Sequence, residues 1–182
     1  MSVRRSFLRV GMTAALMLAS GCSTAPKSPA ARDSLHAEAL AAIESFKAED
    51  PSLSSLFNGT YGYAIFPTVG KGAVGVGGAY GKGELYEQGN MVGWCDLSQG
   101  TIGLALGGQS YSELIFFENR LASDLFKTGE FAFAAQASAV AATAGASADA
   151  DYKDGVIVFT LAKGGLMYEA SIGGQKFSFM PK

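Results

Sequence analysis

The chain has 182 residues, with 14 lysines and arginines against 16 acids and a formal charge of −2 at pH 7. An acidic excess of this kind excludes a broad electrostatic surface for nucleic acid. Two cysteines exclude a disulfide framework, while a hydrophobic content of 48% supplies the apolar side chains for one packed core.

Arg4, Arg5 and Arg9 form a positive start, and Val10 to Ala19 form an apolar run of about ten residues. A bilayer-spanning helix needs roughly 20. The order predicts a bacterial signal peptide over residues 1–21. Leu18-Ala19-Ser20-Gly21-Cys22 resembles the lipobox of a lipoprotein precursor. That resemblance implies cleavage before Cys22, acylation of Cys22, and membrane attachment through it. Ser23, rather than Asp, implies delivery to the outer membrane, facing the periplasm. The alternative is an ordinary secreted protein with Cys22 a free thiol. Loss of the three arginines leaves 161 residues with a formal charge of −5. With Cys22 acylated, Cys95 is the one remaining thiol, so no internal disulfide forms.

Residues 22–32 are small and polar with two prolines, which predicts a lipidated, flexible tether, and residues 33–182 form a single domain. Asp33 or Ser34 is the expected cap of a helix whose stripe is Leu35, Ala39, Ile43 and Phe46, ending near Ala48 before Pro51. Leu53, Leu56 and Phe57 predict a second short turn of helix.

From Tyr61 the pattern changes to period two. Fifteen of the 24 glycines fall between Gly59 and Gly108, which alternate with bulky residues and so predict strands with one bare face open to a second backbone. Expected strands are Tyr61 to Phe66, Ala73 to Tyr80, Glu84 to Gln88, Met91 to Leu97, Ile102 to Leu106 and Tyr111 to Phe117, with a hairpin turn at Gly89-Asn90. Leu121, Leu125 and Phe126 predict a short helix closed by Gly129. An alanine-rich strand from Phe131 to Ala139 follows, then a turn at Asp151 to Gly155. Val156 to Leu161 pairs with Leu166 to Ile172 across Lys163-Gly164-Gly165, and a last strand holds Phe177 and Phe179. The expectation is an α+β fold, mainly β: a barrel-like or sandwiched antiparallel sheet of about eight strands, covered by the N-terminal amphipathic helix and one inserted helix.

The blocks Tyr61-Gly-Tyr-Ala-Ile-Phe-Pro-Thr-Val-Gly-Lys-Gly72, Val74-Gly-Val-Gly-Gly78, Gly81-Lys-Gly83, Gly103-Leu-Ala-Leu-Gly-Gly108 and Lys163-Gly-Gly-Leu-Met-Tyr-Glu-Ala-Ser-Ile-Gly173 occur in the order of the SYLF domain. The chain resembles this family, also called the yeast actin-binding homologue domain, from about Leu35 to Phe179. The resemblance implies lipid binding. Eukaryotic members use a basic N-terminal helix, whereas the helix here carries Asp33, Glu38, Glu44 and Glu49 against Arg32 and Lys47. What carries over is an expectation of phospholipid or other amphiphile binding, with no enzymatic activity and no cofactor.

Gly70-Lys-Gly-Ala-Val-Gly75 has the letters of a dinucleotide loop, but more strand follows where a helix N-terminus is required. Lys71 lies between Gly70 and Gly72, and Lys82 between Gly81 and Gly83. Each predicts a turn where free amides help a lysine hold a lipid phosphate. The competing reading is a solvated turn lysine. His36, the only histidine, lacks a neighbouring Cys or acid at metal spacing and reads as solvent-facing, so no metal site is expected. Asp149-Ala-Asp151-Tyr-Lys-Asp154 departs from calcium-loop spacing and reads as a turn. Cys95 reads as a small buried hydrophobe. The expected function is therefore a lipid-anchored, non-enzymatic periplasmic domain that binds phospholipid. The alternative is an envelope scaffold lipoprotein acting through protein contacts, with its partner unassigned.

Overall fold

The computed structural model describes residues 24–129, 139–141, 143–148, 150–164 and 174–182. Its elements are α1 (Pro29–Glu49), α2 (Leu53–Gly59), β1 (Gly62–Glu87), β2 (Asn90–Phe117), α3 (Arg120–Thr128), β3 (Ala139–Ala141), β4 (Val156–Gly164) and β5 (Gln175–Pro181). This is an α+β fold dominated by antiparallel sheet.

Helix α1 starts before the expected Asp33 or Ser34. Ser28 caps it, its Oγ accepting a hydrogen bond from the Ala31 amide at 3.2 Å, and Pro29 occupies the first turn. A proline there loses no intrahelical bond and has its φ already set. The predicted stripe is correct: Leu35, Ala39, Ile43 and Phe46 are all buried. The predicted turn of helix after Pro51 is α2. Helix α3 ends as expected on Gly129, at φ 71°, a left-handed conformation that glycine adopts without penalty.

The six strand segments expected between Tyr61 and Phe117 are in fact two continuous strands, β1 of 26 residues and β2 of 28. They pair antiparallel from Gly62 with Phe117 to Glu87 with Asn90. The tip is a two-residue turn at Gln88 (φ 48°) and Gly89 (φ 79°), one residue earlier than expected. The count of about eight strands is thereby corrected to five among the described residues. At Gly62, Gly81 and Gly83 the two halves of β1 pass close to one another. A Cβ on Gly62 would stand 2.5 Å from the Tyr86 carbonyl oxygen, and one on Gly83 would fall onto that of Ile65. At these two positions the second backbone is the other half of β1 and at Gly93 it is β5, while the surroundings of Ala73 to Gly77 and Gly103 to Gly107 lie outside the description.

Strand β4 pairs with β2 from Ser110 to Phe117, and β5 pairs with β2 from Gly93 to Gln99. Strand β3 adds to β4 in parallel, giving the order β1-β2-β4-β3 with β5 beside β2. No pairing among the described residues closes this sheet into a barrel. The expected strand Leu166 to Ile172, and the alanine-rich strand apart from its end at Ala139, lie outside the described residues. The turn before β4 is as expected, with Lys153 and Val156 exchanging backbone hydrogen bonds of 3.0 Å across Asp154 (φ 51°) and Gly155 (φ 77°).

Alternating residues feed two cores. Ala64, Phe66, Ile115, Phe117, Val156 and Val158 pack with Phe126 of α3 and Phe177 of β5. Ile65, Leu114, Phe116, Ile157 and Phe159 pack with Ala39, Ile43 and Phe46 of α1 and Leu53 of α2. Because both faces are covered, Leu114 to Phe117 and Val156 to Phe159 are uninterrupted apolar runs. Cys95 is fully buried in the first core, and burial pushes its thiol up, in accord with the expected small hydrophobe.

Candidate functional site

The described residues hold a cavity of about 470 Å³ where the first turns of α1 cross the β1–β2 hairpin beside the end of β5. That volume falls within the few hundred Å³ typical of small-molecule sites. Its lining divides into cations (Arg32, Lys182), a second acid beside them (Asp33), an apolar wall (Met91, Trp94, Pro181) and an acid–imidazole group built on Glu84 and His36.

The strand register explains the wall. Glu84 pairs directly with Trp94, and Tyr86 with Met91, so the hairpin turns these side chains together toward α1. Helix α1 brings Leu35 against Trp94, and one residue later brings His36 over Glu84. Glu84 is only 1% exposed and its Oε2 accepts from the Tyr86 hydroxyl at 2.7 Å. His36 Nδ1 lies 2.9 Å from the same oxygen and 3.3 Å from the Tyr86 hydroxyl. Burial, followed by the hydrogen bond to Glu84, raises the Tyr86 phenol well above its ordinary range, so it stays a neutral donor.

His36 is half exposed, in line with the solvent-facing reading, but it does have an acidic partner. The partner is 48 positions away in sequence, and only the fold brings the two together. The Arg32 guanidinium stacks 4.6 Å above the Trp94 ring, a cation–π contact, and Trp94 Nε1 is buried with no hydrogen-bond partner among the described residues. The described lining offers charge, aromatic surface and one acid–imidazole hydrogen bond.

Neither lysine singled out by sequence occupies a turn. Lys71 pairs with Gln109 and Lys82 with Asp96 inside the continuous β1–β2 ladder. Lys82 Nζ donates to Asp96 Oδ1 at 3.1 Å and to the Thr24 carbonyl at 2.9 Å. Burial opposes its charge, but the Asp96 and Tyr80 contacts outweigh it and raise the Lys82 ammonium. Gly81 and Gly83 serve close packing, since a Cβ on Gly81 would lie 3.0 Å from the Thr68 carbonyl oxygen and one on Gly83 would strike Ile65. Gly70 and Gly72 have open space where a Cβ would go. The signal missed in the sequence was the hairpin itself: with Tyr61 to Phe117 read as one ribbon, counting back from Gly89 sets Glu84 opposite Gly93, and the register shift between Leu85 and Tyr86, which the sequence does not announce, moves it to Trp94. Cys22 lies outside the described residues. Among those described, no helix is long and apolar enough to cross a membrane.

The fold and cavity define an α+β domain with an antiparallel sheet and a charged, aromatic pocket under its first helix. No protein-family model matches the chain. It is similar to Beta cell expansion factor A of Aeromonas veronii, 28% identical over 138 residues, which cover 71% of this chain and 49% of that protein. The chain thus spans about half the length of this curated relative. The distant likeness supports a SYLF-like family and does not bear on the lipobox.

Proposed function

We propose that this chain is a lipid-anchored, non-enzymatic SYLF-like domain of the periplasmic face of the outer membrane that binds a phospholipid or related amphiphile. The observation that carries the reading is the pocket's composition. Arg32 and Lys182 suit a phosphate, and Met91 and Trp94 suit the glycerol and first methylenes of a lipid. The lipobox ending at Cys22 supplies the anchor, and the SYLF resemblance supplies the ligand class. Lys71 with Gly70 and Gly72, and Lys82 with Gly81 and Gly83, remain secondary lipid contacts in this proposal, and Lys82 must exchange its Asp96 partner to serve.

The test is co-sedimentation of residues 23–182, without acyl chains, with vesicles containing phosphatidylglycerol. Wild type is expected to pellet with the vesicles, and Arg32→Glu to lose about tenfold in affinity, the equivalent of one charge-assisted contact. Pelleting no better than an unrelated acidic protein refutes the proposal. A scaffold role is favoured by one feature: Leu121 and Leu125 stand on one face of α3 at 69% and 42% exposure. If Leu121→Glu releases a co-purifying envelope protein while vesicle binding is absent, the scaffold reading replaces the first.

A further inference from the structure

The sequence presents residues 22–32 as a flexible tether, but most of that stretch is fixed to the body of the domain. The Thr24 carbonyl accepts from Lys82 Nζ at 2.9 Å. Ala25 is 1% exposed, in a small apolar cluster with Leu35 and Trp94. The Pro26 carbonyl accepts from Arg32 Nε at 3.1 Å, and Ser28 caps α1. These contacts join the strap to three elements, α1, β1 and β2.

If Cys22 carries acyl chains, the distance from anchor to body is therefore set by Cys22 and Ser23 alone. A ten-residue tether reaches about 35 Å, whereas two residues reach about 7 Å. Half the difference between the full bilayer thickness and its hydrocarbon core is about 5–8 Å per leaflet. The first fixed residue then sits at the level of the headgroups, with no slack to turn the domain away.

We infer that the strap of residues 24–28 clamps this domain flat on the leaflet that holds Cys22, with the Thr24–Lys82 face and the mouth of the Arg32–Trp94 cavity against the lipid headgroups. The inference rests on the lipobox part of the proposed function and deepens it, because it says which lipids the cavity meets: those of the same leaflet. The chemistry of the face fits that position. Lys27, Arg32 and Lys82 all lie on the strap or are bonded to it; Lys82 is paired with Asp96 at 3.1 Å, so Lys27 and Arg32 are the cations this face brings to a chain whose mature charge is −5. Tyr80 is 48% exposed, with its hydroxyl 3.3 Å from Asp96 Oδ1 and its ring 5.9 Å from Lys82 Nζ. A half-exposed tyrosine beside a lysine is suited to the interface between headgroups and water.

Trp94 is the only tryptophan and packs on the strap through Ala25, which makes it a built-in depth probe. The protein is purified from envelopes, its N-terminal peptide weighed, and the intact protein reconstituted in phosphatidylglycerol vesicles carrying a nitroxide on the headgroup. A second form carries about twelve Gly/Ser residues inserted after Ser23, restoring a tether of roughly 40 Å at full extension. Emission from Trp94 is expected to fall about twofold in the native form and to recover most of that loss in the inserted form. Acylated Cys22 with equal emission from the two forms, quenched or not, overturns the clamp and leaves the lipoprotein reading standing. An N-terminal peptide without acyl mass overturns both.

Discussion

Asp50, at the elbow between α1 and α2, and Glu113, in the middle of β2, are both 0% exposed, yet the fold drives their carboxyls in opposite directions. Burial pushes both upward. At Asp50 this is outweighed by donors: the Ser52 amide at 3.0 Å, the Ser52 hydroxyl at 2.5 Å, the Ser147 amide at 2.8 Å and the Gly145 amide at 3.1 Å. Its carboxyl is held well below the ordinary carboxylate range. Glu113 has Gln175 Nε2 at 2.9 Å and Tyr111 as donors, while its Oε1 and Gln175 Oε1 are buried without partners among the described residues. Burial wins there, and its carboxyl is pushed up to about 7. A buried acid is a structural rivet or a titrating weak point according to its number of donors.

The largest expected effect breaks the Asp50 side. Asp50→Ala removes four charge-assisted contacts and frees the loop at Gly145 and Ser147, so urea unfolding should show a loss of about 4 kcal/mol. Asp50 also sets an acid limit. A carboxyl lowered in the folded state contributes stability above its unfolded value of 3.8 that is lost as pH falls further. Retention of wild-type stability by Asp50→Ala would remove the rivet from the argument.

Glu113 works with the opposite sign. Its folded value lies above the unfolded 4.5, so stability is full below pH 4.5 and declines as pH rises toward 7. At 1.36 kcal/mol per pH unit, the decline is about 3 kcal/mol for a fully buried group. Glu113→Gln should flatten denaturant midpoints between pH 5 and 8 and leave the acid limb from Asp50 in place. Identical profiles for variant and wild type would show that Glu113 does not titrate in this range.

The two carboxylates also show what the sequence made legible. Helix α1, the cap at Gly129 and the turn before β4 follow from local chemistry, in which proline, glycine and apolar spacing act on their own neighbours. Strand count failed because glycine has two uses in a sheet: it ends strands and it lets backbones touch. Gly62 and Gly83 belong to the second use, and only the register that carries Tyr86 and Ile65 to them reveals it. Glu113 and Asp50 were only half legible: Ser52 and Tyr111 stand two positions from them, but the donors that complete each site lie 62 and up to 97 positions away. The same long-range pairing concealed His36 and Glu84, and the docking of Ala25 hid a strap inside what composition describes as tether.

A third carboxylate, Glu84, tests whether donor number is sufficient as a rule. It is buried like Glu113, but both of its contacts, Tyr86 and His36, meet one oxygen at the rim of the cavity. Glu84→Ala leaves the buried Tyr86 hydroxyl with His36 alone, and a loss of about 2 kcal/mol is expected. Vesicle binding measured at a temperature where the variant remains folded separates this cost from any effect on the pocket. A loss as large as that for Asp50 would show that location, rather than donor number, governs the strength of these sites.

His36 supplies the smallest and most discriminating change. Its side chain is 50% exposed, and a polar contact with that much water around it contributes little to folding. His36→Ala should therefore cost about 0.5 kcal/mol in stability. The same imidazole lies over the buried Glu84 that lines the cavity, so its removal uncovers that acid to the pocket while changing the fold little. Phosphatidylglycerol binding is expected to weaken about threefold in His36→Ala, because an uncovered carboxylate repels a lipid phosphate. Unchanged vesicle affinity in the variant, with stability intact, would assign His36 to packing and leave Arg32 and Lys182 as the cavity's working cations.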